Sequence, residues 1–175
     1  EPAAEQTFLI NDLLRMLPAE MQENIKDHHM SGESYISIAH PLAPNPLFLN
    51  ESAGLLVFEK DSYYFVSKND IEFEEVVSND PSRELGKITS IKNPISSSEN
   101  FDLLNSAVLS RGALMTAALL IGLSQKMIDL SSAYALDRTQ FGKPIGSFQA
   151  VKHMLADVAV AIEFARPAVY RAAYS

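Results

Sequence analysis

The sequence holds no cysteine and no tryptophan among its 175 residues, and its 14 Lys and Arg are outnumbered by 22 Asp and Glu. Without cysteine there is no disulfide framework, no Cys-bearing zinc site and no thiol nucleophile, a composition that fits a reducing compartment. A net charge of -8 argues against a nucleic-acid surface, because neutralising phosphates needs clustered Lys and Arg. Long apolar runs are also scarce. The longest, Ala113 to Leu123 with Thr116 inside it, is well short of the ~20 residues that span a bilayer. No stretch has the basic start, apolar middle and small-residue cleavage site of a signal peptide. These absences lead to the expectation of a soluble, cytoplasmic protein with neither membrane nor nucleic acid as partner.

What is present is the composition of a folded domain, 47% apolar and 21% charged, a balance typical of globular proteins. The sequence starts at Glu1 without Met and stops at Ser175 inside an expected helix, so a longer parent polypeptide is expected.

Periodicity divides the chain into three. Gln6 to Leu17 places Phe8, Leu9, Leu13, Met16 and Leu17 near one helical face, and Pro18 ends it. Ala19 to Lys26 reads as a second short helix, and Asp27 to Gly32 as a loop closed by a Ser-Gly pair. From Ser34 the period shortens. The runs at Tyr35, Leu55, Tyr63 and Ile71 are β-branched or aromatic, and Ile71 and Phe73 alternate with Glu72, Glu74 and Glu75 as in a strand with one wet face. Glu59 to Ser62 makes a hairpin turn, and Pro41, Pro44 and Pro46 exclude a regular central strand between them. This middle third is expected to be a small antiparallel β module, followed by a linker at Pro94 to Ser98.

Asn100 to Leu136 then runs without Pro and is apolar around nearly its whole circumference, the pattern of a helix buried in a bundle. Gly142, Pro144 and Gly146 interrupt it. Ser147 is a natural N-cap for a second long helix from Phe148 to Ser175, which Pro167 should bend or interrupt. The expected class is α+β: residues 1–32 ending an N-terminal helical domain, 33–96 a middle β domain, and 97–175 two long helices of an incomplete C-terminal bundle. So much apolar helix surface needs missing helices or another subunit to cover it.

The segment between the long helices carries the chemistry. Arg138 follows a helix C-terminus, where a cation is favoured, and its planar fork suits two phosphate oxygens. Gln140 and the next helix start add donors, Gly142 and Gly146 let the backbone turn closely, and Phe141 and Phe148 can flank a flat ring. A plainer account stands beside this one: Arg138 caps carbonyls or pairs with Asp137, the glycines only make the turn, and both Phe side chains are core.

The stretch Tyr134 to Asp157, YALDRTQFGKPIGSFQAVKHMLAD, resembles the connection between two long C-terminal helices of the acyl-CoA dehydrogenase family. The likeness extends back to about Ser106 and forward through Phe164-Ala165-Arg166. By position, the resemblance implies that Arg138, Gln140, Phe141, Ile145, Phe148 and Gln149 help hold the FAD of a neighbouring subunit, mainly at its pyrophosphate and adenosine end. It also implies an acyl-CoA substrate, α,β-dehydrogenation in fatty-acid or steroid side-chain β-oxidation, and a dimeric or tetrameric homo- or hetero-oligomer.

Elsewhere the chain departs from the family pattern. The family base lies beyond Ser175 or at the position aligned with Gly112, which cannot take a proton. Positions holding an Asp and an Arg against coenzyme A in many members align with Ser110 and Ala113, with Arg111 between them. The Thr-Glu-Pro loop against the flavin looks like Ala39-His40-Pro41 here, and the family's Trp-bearing strand has no counterpart. No catalytic residue is therefore assigned. The expectation is a non-catalytic subunit that lends half of an FAD site to a partner, as in the two-gene enzymes acting on steroid side-chain CoA thioesters, whose shortened subunits the FARPAVYRAAYS ending also resembles. The alternatives are a homomeric dehydrogenase with its base beyond residue 175, and a non-flavin scaffold or binding protein of the same fold.

Other polar groups carry less. Adjacent His28 and His29 point apart on a regular element, and His153 with Asp157 suits a helical hydrogen bond better than a metal. Glu72, Glu74 and Glu75 read as a solvent face, and no metal site is expected.

Overall fold

The computed structural model describes residues 9–31, 34–80 and 82–174, with backbone alone for 27–31. The chain divides into two compact units, residues 1–110 and 111–175.

The first unit opens with helix α1, described over residues 9–14. It ends before Leu17, and its buried face is Ile10 and Leu13; Phe8 lies outside the described residues. Helix α2, Ala19–Ser31, is longer than its periodicity suggested. The loop expected from Asp27 is therefore helical to Ser31. Extending a formed helix adds one backbone bond for each residue fixed, and no Gly or Pro stands in the way before Gly32.

Six strands follow among the described residues: β1 (Tyr35–Ala39), β2 (Ser52–Phe58), β3 (Tyr63–Ser67), β4 (Ile71–Val76), β5 (Leu85–Ile91) and β6 (Ile95–Ser97). They form a four-stranded sheet in the order β1-β2-β3-β6 and a β4-β5 hairpin. The turn expected at Glu59 to Ser62 is there, closed by the Glu59 amide donating to the Ser62 carbonyl at 2.9 Å.

Two expectations need correction. The module is mixed rather than purely antiparallel, because β1 and β2 run parallel. Their connection, carrying the three prolines, is long enough to return the chain to the same end of the sheet. The supposed linker contains β6, which pairs antiparallel with β3 through Phe65↔Ile95 and Tyr63↔Ser97.

The main sheet is buried on both faces, which is why β2 reads as an unbroken apolar run rather than an alternation. Leu56, Phe58, Tyr63 and Phe65 face a core shared with Ile10, Leu13, Met21 and Ile25 of the helices. Leu55, Val57 and Val66 face a second core with Ala39, Leu49 and Ile71. Gly54 is fixed by this packing, since a Cβ there would lie 2.7 Å from both the Phe65 ring and the Val66 carbonyl.

Helix α3, Phe101–Asp137, begins in the first unit, where Leu104 and Val108 complete the helical core, and continues through the second. By length and by a mean hydropathy of 1.6 over its most apolar window it is long and apolar enough to cross a membrane. Its longest unbroken apolar run is shorter than a span because Ser, Thr and Gly interrupt the sequence without making it polar. One such helix is weak evidence for a membrane, and a bundle helix has the same composition.

The second unit completes α3 and adds a short hairpin, β7 (Thr139–Gln140) and β8 (Lys143–Pro144), and helix α4, Gln149–Tyr174. Pro167 lies inside α4 and does not interrupt it. The surrounding Ala, Glu and Arg residues are strong helix formers, and they carry the helix past the hydrogen bond that Pro167 cannot donate and the crowding of its ring against the preceding turn. Arg166 ties α4 to α3, donating from Nη2 to Gln125 Oε1 at 3.0 Å.

Candidate cofactor site

Helix α3 stops at Asp137, and the Arg138 amide still donates to the Tyr134 carbonyl at 2.9 Å. Arg138 therefore directly follows the last helical turn, at the end of the helix where the dipole favours a cation. The chain then reverses within four residues. Thr139 pairs with Pro144 and Gln140 with Lys143, while Phe141 and Gly142 hold φ angles of 52° and 78°. Two positive φ values in a two-residue turn are the type I′ pattern, which follows the twist of a hairpin. Glycine suits the second position. Phe141 occupies the first at a cost of about 1–2 kcal/mol for a left-handed L-residue.

The hairpin is anchored at its base. The Ile145 amide donates to the Arg138 carbonyl at 2.8 Å, and Gly146 sits so close to α3 that an added Cβ would lie 3.0 Å from the Ala135 carbonyl oxygen. A 3-10 turn, Ile145–Ser147, leads into α4. The Lys152 amide donates to the Phe148 carbonyl at 3.1 Å, which makes Phe148, not Ser147, the residue that caps α4. Ser147 is taken up by the 3-10 turn, so the first-turn amides of α4 face a cap with no polar side chain.

All six residues singled out from the sequence belong to this one hairpin and helix start. Phe141 projects from the tip with 92% of its surface exposed, and it meets Phe148 edge-on, with ring centroids 6.3 Å apart and planes at 87°. Ile145 and Phe148 are half-buried, while Arg138, Gln140 and Gln149 are exposed. The Arg138 and Gln140 side chains have no hydrogen-bond or ion-pair partner among the described residues. Within the described residues Arg138 makes no ion pair with Asp137, and Phe141 is not part of a core. An unpaired guanidinium, a free amide and an uncapped helix start fit an anion such as a pyrophosphate. The two rings fit a flat, apolar group beside it.

One contact was not foreseen: the Lys143 ammonium lies over the Phe148 ring, 4.5 Å from its centroid. Its signal in the sequence is the position opposite Gln140 in a two-residue hairpin, which is readable only once the turn type is known.

The positions of doubtful function behave differently. Ala39 is buried in the β core, 3% exposed, with no hydroxyl to offer. Beside it, His40 Nδ1 accepts the Leu42 amide at 3.1 Å, which leaves Nε2 to donate to Asn105 Oδ1 at 2.9 Å. Its ring is thus committed to holding the β1 end against α3. Gly112 has nothing within 4 Å of an added Cβ and carries no proton-accepting group.

Fold and site together define the class: a two-faced β module followed by long bundle helices joined through an anion-ready hairpin. Residues 101–175 match the family described as acyl-CoA dehydrogenase, C-terminal domain, and this segment belongs to the acyl-CoA dehydrogenase family. Among curated relatives, the chain is 48% identical over 66 residues to the probable acyl-CoA dehydrogenase YngJ of Bacillus subtilis, covering 38% of this chain and 17% of that protein. The chain is 36% identical over 104 residues to acyl-CoA dehydrogenase IpdE2 of Mycobacterium tuberculosis, covering 58% of this chain and 30% of that one. Among solved structures, the Tcur3481-Tcur3483 steroid ACAD G363A variant superposes with a TM-score of 0.74 at 20% identity, over 98% of this chain and 54% of that chain. The acyl-CoA dehydrogenase fold thus extends over the β module, while the chain spans well under two thirds of these proteins.

Proposed function

We propose that this chain is a subunit of an FAD-dependent acyl-CoA dehydrogenase and lends the hairpin at 138–149 to flavin held mainly by a partner. The observation that carries the reading is the contrast within the site. The hairpin keeps an unpaired cation, an unpaired amide, an uncapped helix start and two rings, whereas Ala39 and Gly112 offer neither a hydroxyl nor a base. A chain built this way contributes to a shared cofactor site, and position 112 supplies no base for proton abstraction.

In this reading Arg138 and the first amides of α4 take the pyrophosphate charge, Gln140 and Gln149 add polar contacts, and Phe141, Ile145 and Phe148 exclude water along the adenosine end. FAD, when bound, supplies the hydride acceptor for α,β-dehydrogenation of an acyl-CoA. The exposed apolar faces of α3 and α4 support assembly with further helices or subunits, because a soluble helix does not leave so many Leu and Met side chains in water. The name of the Tcur3481-Tcur3483 steroid ACAD joins two components, which favours a heteromer and a bulky acyl group.

Arg138→Ala tests the flavin role. In the assembled protein it should abolish FAD retention through gel filtration without changing the assembly's elution volume. Full retention of FAD and activity would overturn the assignment and favour a scaffold of the same fold.

A further inference from the structure

Phe148 is gripped from two sides by the residues flanking Gly142. The Lys143 ammonium sits over its face at 4.5 Å, and Phe141 meets it edge-on at 6.3 Å. A cation is drawn to the negative face of an aromatic ring, and a neighbouring ring prefers an edge-to-face approach, so both contacts have their favoured geometry. The backbone gives the tip less support. The hairpin's pairing ends at Gln140↔Lys143, and Phe141 beyond it is held in a left-handed conformation that its side chain disfavours.

We infer that Lys143 is a positioning residue of the cofactor site: its ammonium clamps the Phe148 ring, and through that ring holds the Phe141 tip to the start of α4. The inference rests on the flavin reading above, and it gives Lys143 a role through Phe148 rather than through a phosphate. Gln140 lies in the four-residue reversal and Arg138 two residues before it, so clamping the tip reduces the disorder that cofactor binding must otherwise remove.

The test is FAD titration of the deflavinated assembled protein, followed by flavin fluorescence, alongside hydrogen exchange of the Ile145 amide in the flavin-free state. Lys143→Met should weaken FAD binding about two- to fivefold, the range for a cation and ring at an exposed position, and speed Ile145 exchange. Lys143→Arg, which keeps a cation over the ring, should restore both. In a Phe148→Leu background Lys143→Met should have no further effect, because the two substitutions remove one interaction. Additive losses, or weakened binding with unchanged Ile145 exchange, would show that Lys143 acts as a direct charge on the cofactor and overturn the clamp. Unchanged binding and exchange in Lys143→Met would overturn it as well. Failure of the flavin reading is seen separately, as FAD retention in Arg138→Ala.

Discussion

The two units of the chain bury their apolar residues very differently. In residues 1–110 the sheet is sandwiched between two cores, and Phe65, Leu55, Leu56 and Tyr63 are essentially inaccessible. In residues 111–175 only Ile128, Ala135 and Ile162 are buried apolar residues among those described, while Leu120, Met127, Met154 and Phe164 stand exposed. The second unit is the richer of the two in apolar residues, so the difference lies in what each unit finds to pack against. The first unit holds its own stability. The second presents a surface, and its hairpin is held by backbone geometry and close contact rather than by a core.

Substitutions can break or sharpen this contrast. The largest effect is expected in the first unit: Phe65→Ala should cost about 3–5 kcal/mol, as for buried aromatics generally, measured by urea unfolding of the chain. Gly146→Ala comes next, at about 1–3 kcal/mol, because its Cβ meets the Ala135 carbonyl and either α3 or the 3-10 turn must shift. Its signature is faster exchange of the Ile145 amide. Gly142→Ala should cost about 1 kcal/mol by the same readout, for a different reason. Open space surrounds Gly142, so only its φ of 78° resists a side chain. The smallest effect is expected for Phe164→Ala, 80% exposed on α4. It should change the stability of the isolated chain by less than about 0.5 kcal/mol, yet weaken assembly in sedimentation. A large loss in the isolated chain would mean that the second unit has a core of its own.

How much of this was legible in the sequence follows the same division. The long helices were readable as long stretches with few breakers, four of the strands as short β-branched or aromatic runs bounded by turn residues, and the hairpin at Glu59 to Ser62 because its turn chemistry is local. The parallel pairing of β1 with β2 was not, since nothing local distinguishes a strand's direction. β6 was missed because a three-residue strand is decided by the edge of β3 that it covers. At the site, the motif placed all six residues together, but the capping role of Phe148 depends on the 3-10 turn absorbing Ser147. Lys143 was invisible until the turn type brought it over the Phe148 ring. Pro167 does not interrupt α4, because its strong helix-forming neighbours carry the helix past it.

On the function proposed above, this chain lends half of an FAD site rather than owning a whole one. Flavin quantitation with size-exclusion chromatography, on the full-length gene product alone and with the product of a neighbouring dehydrogenase gene, tests it most directly. Little bound FAD is expected on the chain alone, and stoichiometric FAD only in a mixed assembly. One FAD per chain in a homomer would contradict it.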